Sequence, residues 1–153
     1  MSLTRAQVET ILVQRIGGWL TNAGLAVTTA GSNASLNDPI GYGIRIAGGS
    51  VSSYALVADA DVVTVADADL DMLLDVAELR ALENVLSNFA LVDAKAGPVE
   101  AKSSQFADRL MKVIDRLRAQ LAIRYGIESA LLLQAGVISL NFHELDDGVV
   151  ITS

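Results

Sequence analysis

The sequence predicts a mainly α-helical protein, a small bundle built on two long antiparallel helices, followed by a C-terminal extended or β-hairpin arm. Three observations carry that prediction. Apolar residues recur at three- and four-residue spacing over residues 8–23, 70–89 and 106–121, the period of a helix with one buried face. Helix start and stop residues stand near the ends of these stretches. Only beyond residue 137 does the apolar period drop to two, which is strand spacing.

The first helix opens with Thr4 as N-cap and Gln7 three residues on, the pattern of a capping box, with Leu3 placed to staple onto Val8. Val8, Ile11, Leu12, Ile16, Trp19, Leu20 and Ala23 form its stripe, and Asn22 with Gly24 ends it. Gly17 and Gly18 each cost about 1 kcal/mol relative to alanine in a helix interior. A kink, or very close packing on a neighbour, is expected there. Residues 25–36 read as a loop, rich in Ala, Thr, Ser, Gly and Asn. Asp38-Pro39 then supplies an N-cap followed by proline at the first helical position. A short helix follows with Ile40, Ile44 and Ala47 on one face, stopped by Gly48-Gly49. Over residues 51–66 Asp59 can cap a helical turn, while Val62, Val63, Thr64 and Val65 prefer a strand; a short helix or turn is expected. The echo of Val57-Ala58-Asp59-Ala60-Asp61 in Val65-Ala66-Asp67-Ala68-Asp69 is too short to be a structural repeat.

The most regular stripe is Leu70, Leu73, Leu74, Ala77, Ala81, Leu82, Val85, Leu86 and Phe89, with acids crowding its first turn, where they complement the helix dipole. Gly97-Pro98 marks a turn. A second long helix carries Phe106, Leu110, Val113, Ile114, Leu117 and Leu121 and stops at Tyr125-Gly126. Two such helices with a short connection pack antiparallel. In the arm, Ile138, Leu140 and Phe142 alternate with polar residues, and Asp147-Gly148 turns the chain into Val149, Val150 and Ile151. A lone two-stranded hairpin is marginal in water. The arm is therefore expected to dock on a neighbour or partner, through Ile138, Leu140, Phe142, Val149 and Ile151, with folding back on its own helices as the alternative. The expected organisation is a helical domain over residues 1–126 and an arm over 127–153.

Composition narrows the function classes. A chain of 153 residues suits one hydrophobic core, yet 52% of it is apolar and its mean hydropathy is +0.43. That surplus points to burial against other subunits. The uncharged, apolar-leaning stretch at residues 129–142 is interrupted by Ser129, Gln134, Gly136, Ser139 and Asn141, so no membrane span is expected. Arg5 and Glu9 occur where a signal peptide would place its apolar core. Absence of cysteine excludes disulfides and thiolate chemistry. The net charge of -7 argues against gripping nucleic acid.

The placement of charge says more than its sum. Residues 59–83 hold eight acids and one base, whereas residues 99–126 hold six bases and three acids. These are either two ordinary solvated faces or two faces that meet across a head-to-tail subunit contact. On the second reading Asp67, Asp71, Asp75 and Glu78 form the acidic face and Arg109, Lys112 and Arg116 the basic one.

Motifs for chemistry are absent or incomplete. Asp67, Asp69, Asp71, Asp75 and Glu78 fall on EF-hand ligand places, but Met72 stands where the loop needs glycine, on an apolar helix stripe. Gly41-Tyr42-Gly43 opens like a dinucleotide-binding fingerprint and then has Ile46 in place of the third glycine. The single histidine, His143, has no visible nucleophile partner. No catalytic, cofactor-binding or metal residue is assigned, and the chain is not expected to be an enzyme.

The run Leu74-Asp75-Val76-Ala77-Glu78-Leu79-Arg80-Ala81-Leu82-Glu83 resembles the central helix of the head-to-tail connector (adaptor, or head-completion) proteins of tailed bacteriophages. The opening Leu3-Thr4 with Trp19-Leu20-Thr21-Asn22-Ala23-Gly24-Leu25, and the closing Arg124-Tyr125-Gly126, fit the same layout, so the resemblance spans roughly residues 1–126. It implies a structural virion protein, assembled in the host cytoplasm. Such proteins form a homo-oligomeric ring, commonly of twelve subunits, between the portal protein and the tail or stopper proteins. The ring extends the DNA channel, and duplex DNA passes through without specific binding. No cofactor and no membrane are implied. Two other classes compete: a cytosolic helical ligand-binding or regulatory bundle, and a metal-dependent enzyme or calcium sensor using the acidic cluster.

Overall fold

In a computed structural model the described residues are 3–96 and 100–127. They are mainly helical, with no strand among them. In chain order the helices are α1 (Arg5–Asn22), α2 (Asn37–Ile46), α3 (Asp59–Val62), α4 (Leu70–Ala96) and α5 (Glu100–Tyr125). Single 3-10 turns, Ala34–Leu36 and Asp67–Asp69, lead into α2 and α4. No helix of the described residues is long and apolar enough to cross a membrane. The chain divides into two compact units, Met1–Leu117 and Arg118–Ser153. The described part of the second is the end of α5 and the two residues after it.

Helix α1 starts where its local chemistry dictates. The Thr4 hydroxyl accepts from the Gln7 N–H (3.3 Å), and the Gln7 side chain accepts from the Thr4 N–H (2.8 Å), closing a capping box. At its other end Gly24 takes φ +69°, the Leu25 N–H bonds the Leu20 carbonyl and the Gly24 N–H bonds that of Thr21, a complete Schellman stop. Of the two expectations at Gly17-Gly18, close packing on a neighbouring helix is not found among the described residues. One helix runs through both, a Cβ at Gly17 would meet only Val13 of the same helix, and one at Gly18 would meet nothing within 4 Å. These glycines are not seats for a neighbouring helix.

Close approach occurs instead at α2. Pro39 is the third residue of that helix and Asp38 the second, so Asp38 is not its cap. The preceding 3-10 turn leads straight into α2, with Asn33 capping that turn through its bond to the Ser35 N–H. Asp38 reaches across to α4 instead, accepting from Arg80 (2.9 Å) and Asn84 (3.0 Å). Gly43 lies so near α4 that an added Cβ would stand 2.6 Å from the Leu73 carbonyl oxygen and 3.2 Å from the Ala77 Cβ. Glycine facing alanine lets the two backbones meet, and fully buried Ile40 and Ile44 seal the contact beside it.

Helix α4 is the centre of the bundle, packing against both α1 and α2. Its buried residues are Leu73, Leu74, Val76, Ala77, Leu79, Ala81, Leu82 and Val85, a wider band than the single predicted stripe because two helices need covering. They meet Leu12, Ile16 and Leu20 of α1 within one core, each such side chain contributing about 1.5–3 kcal/mol on burial. Phe89 stacks on Phe106 with ring centroids 4.2 Å apart. Seventeen residues of unbroken helix would separate them by about 25 Å, so α4 and α5 are not one continuous helix. Helix α5 ends on Gly126 at φ +61°.

The segment between α2 and α4 is turns plus the single turn α3. Asp59 is the first helical residue, and its carboxylate accepts from the Arg5 N–H (2.6 Å). Asp61 does the tying. It accepts from the Ser52 N–H and hydroxyl and from the Ala58 N–H, at 2.7–2.9 Å. Val62 and Val65 point inward and Val63 outward, a three-residue spacing that a turn satisfies and a strand does not.

Candidate functional site

The predicted acidic face begins on the 3-10 turn that holds Asp67 and continues along α4 as Asp71, Asp75 and Glu78. The last three follow at i, i+4 and i+7, which puts them on one side of the helix. Carboxylates spread along a helix do not converge on a point as the EF-hand-like spacing would require. Among the described residues no group of three or more His, Cys, Asp or Glu is placed to hold a metal ion. Asp67 and Asp71 are exposed, whereas Asp75 and Glu78 are half-buried. Both of the latter bind one cation within the chain: Arg15 of α1 donates from Nη1 to Asp75 and to Glu78, 2.9 Å each. Burial disfavours the Arg15 charge, but the two carboxylate bonds outweigh it and its pKa rises. Sequence reasoning did not foresee this pairing, which joins residues sixty positions apart.

Arg15 also borders a cleft of about 470 Å³ between α1 and α5. Helix α1 contributes Arg15, Gly18, Trp19 and Asn22, at the i, i+3, i+4, i+7 spacing of one face, and α5 contributes Gln105, Phe106 and Arg109. Phe106 is held between Phe89 and Trp19, the indole tilted 59° to it with centroids 5.0 Å apart, so the aromatic wall is braced from behind. Gly18 leaves the α1 side open. Arg109 is exposed and has no hydrogen-bond or ion-pair partner among the described residues. The cleft thus combines an apolar wall, side-chain amides on its rim, a committed arginine and an uncommitted one. It suits a partner that carries an apolar group and a carboxylate.

Of the predicted basic face, Arg109, Lys112 and Arg116 are all exposed and fall within one narrow sector of α5. They are not brought against the chain's own acidic face, whose inward carboxylates face Arg15. Met111, half of whose surface is accessible, is exposed on a different side of α5, at least about 100° around the helix from them. The predicted docking residues of the arm, Ile138, Leu140, Phe142, Val149 and Ile151, lie outside the described residues, as does His143.

A second polar constellation is buried. Arg5 and Glu9 are at most 1% exposed and form an ion pair of 2.9 Å. Glu9 also accepts from the N–H groups of Gly31 and Asn33, and Arg5 donates to the Asn33 and Val57 carbonyls. Asn33 in turn donates to Ala26 and Thr28. One ion pair therefore fastens two loops to the start of α1. Among the described residues no buried side-chain polar atom lacks a partner. The network is structural: its donors and acceptors are used up internally.

No family model, characterised protein or solved structure matches this chain.

Proposed function

We propose that this chain is a structural virion protein, a head-to-tail connector that assembles as a ring between portal and tail of a tailed phage and extends the DNA channel. The observation that carries this reading is the position of residues 74–83, the run with the connector resemblance. They lie in the N-terminal half of α4, the helix against which α1 and α2 both pack, so the resemblance falls on the element that organises the bundle. Separate acidic and basic faces on α4 and α5 suit a heterologous contact between copies, the kind that closes rings. Exposed Leu56, Val63 and Met111 supply apolar surface for subunit contacts. An acidic channel lining lets duplex DNA slide without sticking, since phosphates meet no cations there. In this reading Asp67 and Asp71 serve the lining, while Asp75 and Glu78 are occupied with Arg15. The arm, residues 127–153, docks on a neighbour or on the portal or tail-side ring.

Native mass measurement on the purified chain, alone and with a cognate portal protein, tests this reading. A species near twelve times the 16.1 kDa chain mass is expected in at least one of the two samples. A small closed oligomer in both, with no portal binding, would favour the cytosolic ligand-binding bundle. That alternative calls for an enclosed apolar pocket, whereas the cleft between α1 and α5 is rimmed by exposed polar residues.

A further inference from the structure

We propose that the cleft between α1 and α5, with the cations beside it, receives residues 138–146 of the arm of a second copy of this chain. The inference deepens the assembly reading above by naming the surface on which the arm docks, and rests on that reading for the expectation that copies meet. Charge, spacing and direction choose the occupant.

The cleft calls for apolar and acidic groups together. Trp19 and Phe106 form its wall, Gly18 leaves room for an incoming side chain, and no acidic residue lines it. Arg109 stands at its rim, and Lys112 and Arg116 continue from it along the exposed side of α5. None of the three has a hydrogen-bond or ion-pair partner among the described residues.

The acids of the described bundle do not supply the complement. Asp59 accepts from the Arg5 N–H and Asp61 from Ser52 and Ala58, while Asp75 and Glu78 hold Arg15. Asp38 and Glu83 pair with Arg80, and Asp67 and Asp71 have interactions of their own. The remaining cluster is Glu144, Asp146 and Asp147, in a stretch, residues 125–153, that holds no Lys or Arg. Ile138, Leu140 and Phe142 continue at the same two-residue spacing into Glu144 and Asp146. One side of such a segment, extended, therefore runs from apolar to acidic. The α5 surface runs the same way, from Phe106 to Arg109 and on to Arg116. Phe142 to Asp146 spans about 13 Å when extended, and Phe106 to Arg116 about 15 Å of helix. Apolar groups and opposite charges thus fall opposite one another over the same length.

Direction selects a second copy. Helix α5 carries the chain nineteen residues past Phe106, about 28 Å, to Tyr125. To take this register on its own α5 the arm would have to run back that far and then turn round. On a copy lying ahead it keeps its direction. Each copy gives one arm and accepts one, a heterologous contact that propagates until it closes.

The test uses the whole chain, sedimentation at rising concentration, and emission from Trp19, the one tryptophan, as reporter of the cleft. Arg109→Glu with Arg116→Glu reverses the cleft side, and Glu144→Lys with Asp146→Lys reverses the arm side. Unchanged helical circular dichroism shows that both are folded. Wild type is expected to associate, with Trp19 emission moving to shorter wavelength as it does. Each double variant alone is expected to associate at least about tenfold less tightly, because like charges meet. Mixed in equal amounts, the two are expected to recover wild-type association, since every cleft then finds an arm of opposite sign. Double variants that associate as wild type does, or a mixture that recovers nothing, would overturn the contact and leave the ring reading standing. So would a wild type that stays monomeric at hundreds of micromolar, because the ring could then form only on its partner. Trp19 emission that answers the arm substitutions equally at every concentration would put the arm on its own chain and overturn the exchange.

Discussion

Replacing Gly43 by alanine tests the close crossing of α2 and α4. The added Cβ would stand 2.6 Å from the Leu73 carbonyl oxygen, where an ordinary C···O contact is about 3.3 Å. That oxygen belongs to the α4 backbone and cannot swing aside, so the helices must part by about 0.7 Å. A gap of that size forfeits about a quarter to a half of the dispersion attraction between facing atoms. Ile40 and Ile44, fully buried on either side of Gly43, would feel it. Overpacking of this kind costs about 1–3 kcal/mol, and alanine's better helix propensity offsets up to about 1 kcal/mol of it. The expected net loss is about 1–2 kcal/mol, or a fall in Tm of about 2–8 °C. Urea denaturation should show a lower midpoint with an unchanged slope. Gly18→Ala is the control: its Cβ enters open space, so it should stabilise by about 0.5–1 kcal/mol. A Gly43→Ala protein as stable as wild type would refute the close crossing.

Three further outcomes are expected. Glu9→Ala strands the buried Arg5 charge and two loop N–H groups, for a loss of about 3–5 kcal/mol; the double variant Arg5→Met, Glu9→Leu should lose less, and equal losses would contradict the ion-pair account. Asp61 is penalised by burial, but its bonds from Ser52 and Ala58 outweigh that and lower its pKa below the ordinary 3.8. A group lowered on folding stabilises above its unfolded pKa and loses that contribution as pH falls through the folded value, so the deficit of Asp61→Asn, measured by denaturation, should be full at pH 7 and shrink below about pH 4. A deficit constant with pH would refute it. Arg15→Gln should cost less than about 1 kcal/mol in the same assay, since the guanidinium is 35% exposed and its pairs are partly solvated.

What the sequence made legible was local. The capping box at Thr4 and the stop at Gly24 depend on neighbours three to five residues away, and both formed as read. The long stripes gave α4 and α5 because their period is uninterrupted. Contacts between elements were not legible. Nothing beside Gly43 says that its partner is the Leu73–Ala77 turn, and nothing beside Asp38 announces Arg80. Strand preference at residues 62–65 lost to burial, since Val62 and Val65 had to turn the same way. The Arg5–Glu9 pair left a signal that went unused: two charges at i, i+4 continue the face of Leu12 and Ile16, so charge inside an apolar stripe pointed to a buried ion pair. For the cleft the signal was weaker. Trp19 and Phe106 read as core, and only the half-burial of both marks them as a wall.

The central claim is that copies of this chain build a channel between head and tail. Single-particle imaging of the assembly purified from its native source tests that most directly. The account predicts a ring of this chain with an opening wide enough for duplex DNA, and with Asp67 and Asp71 turned toward the axis. A compact dimer or tetramer with no through-channel would contradict it.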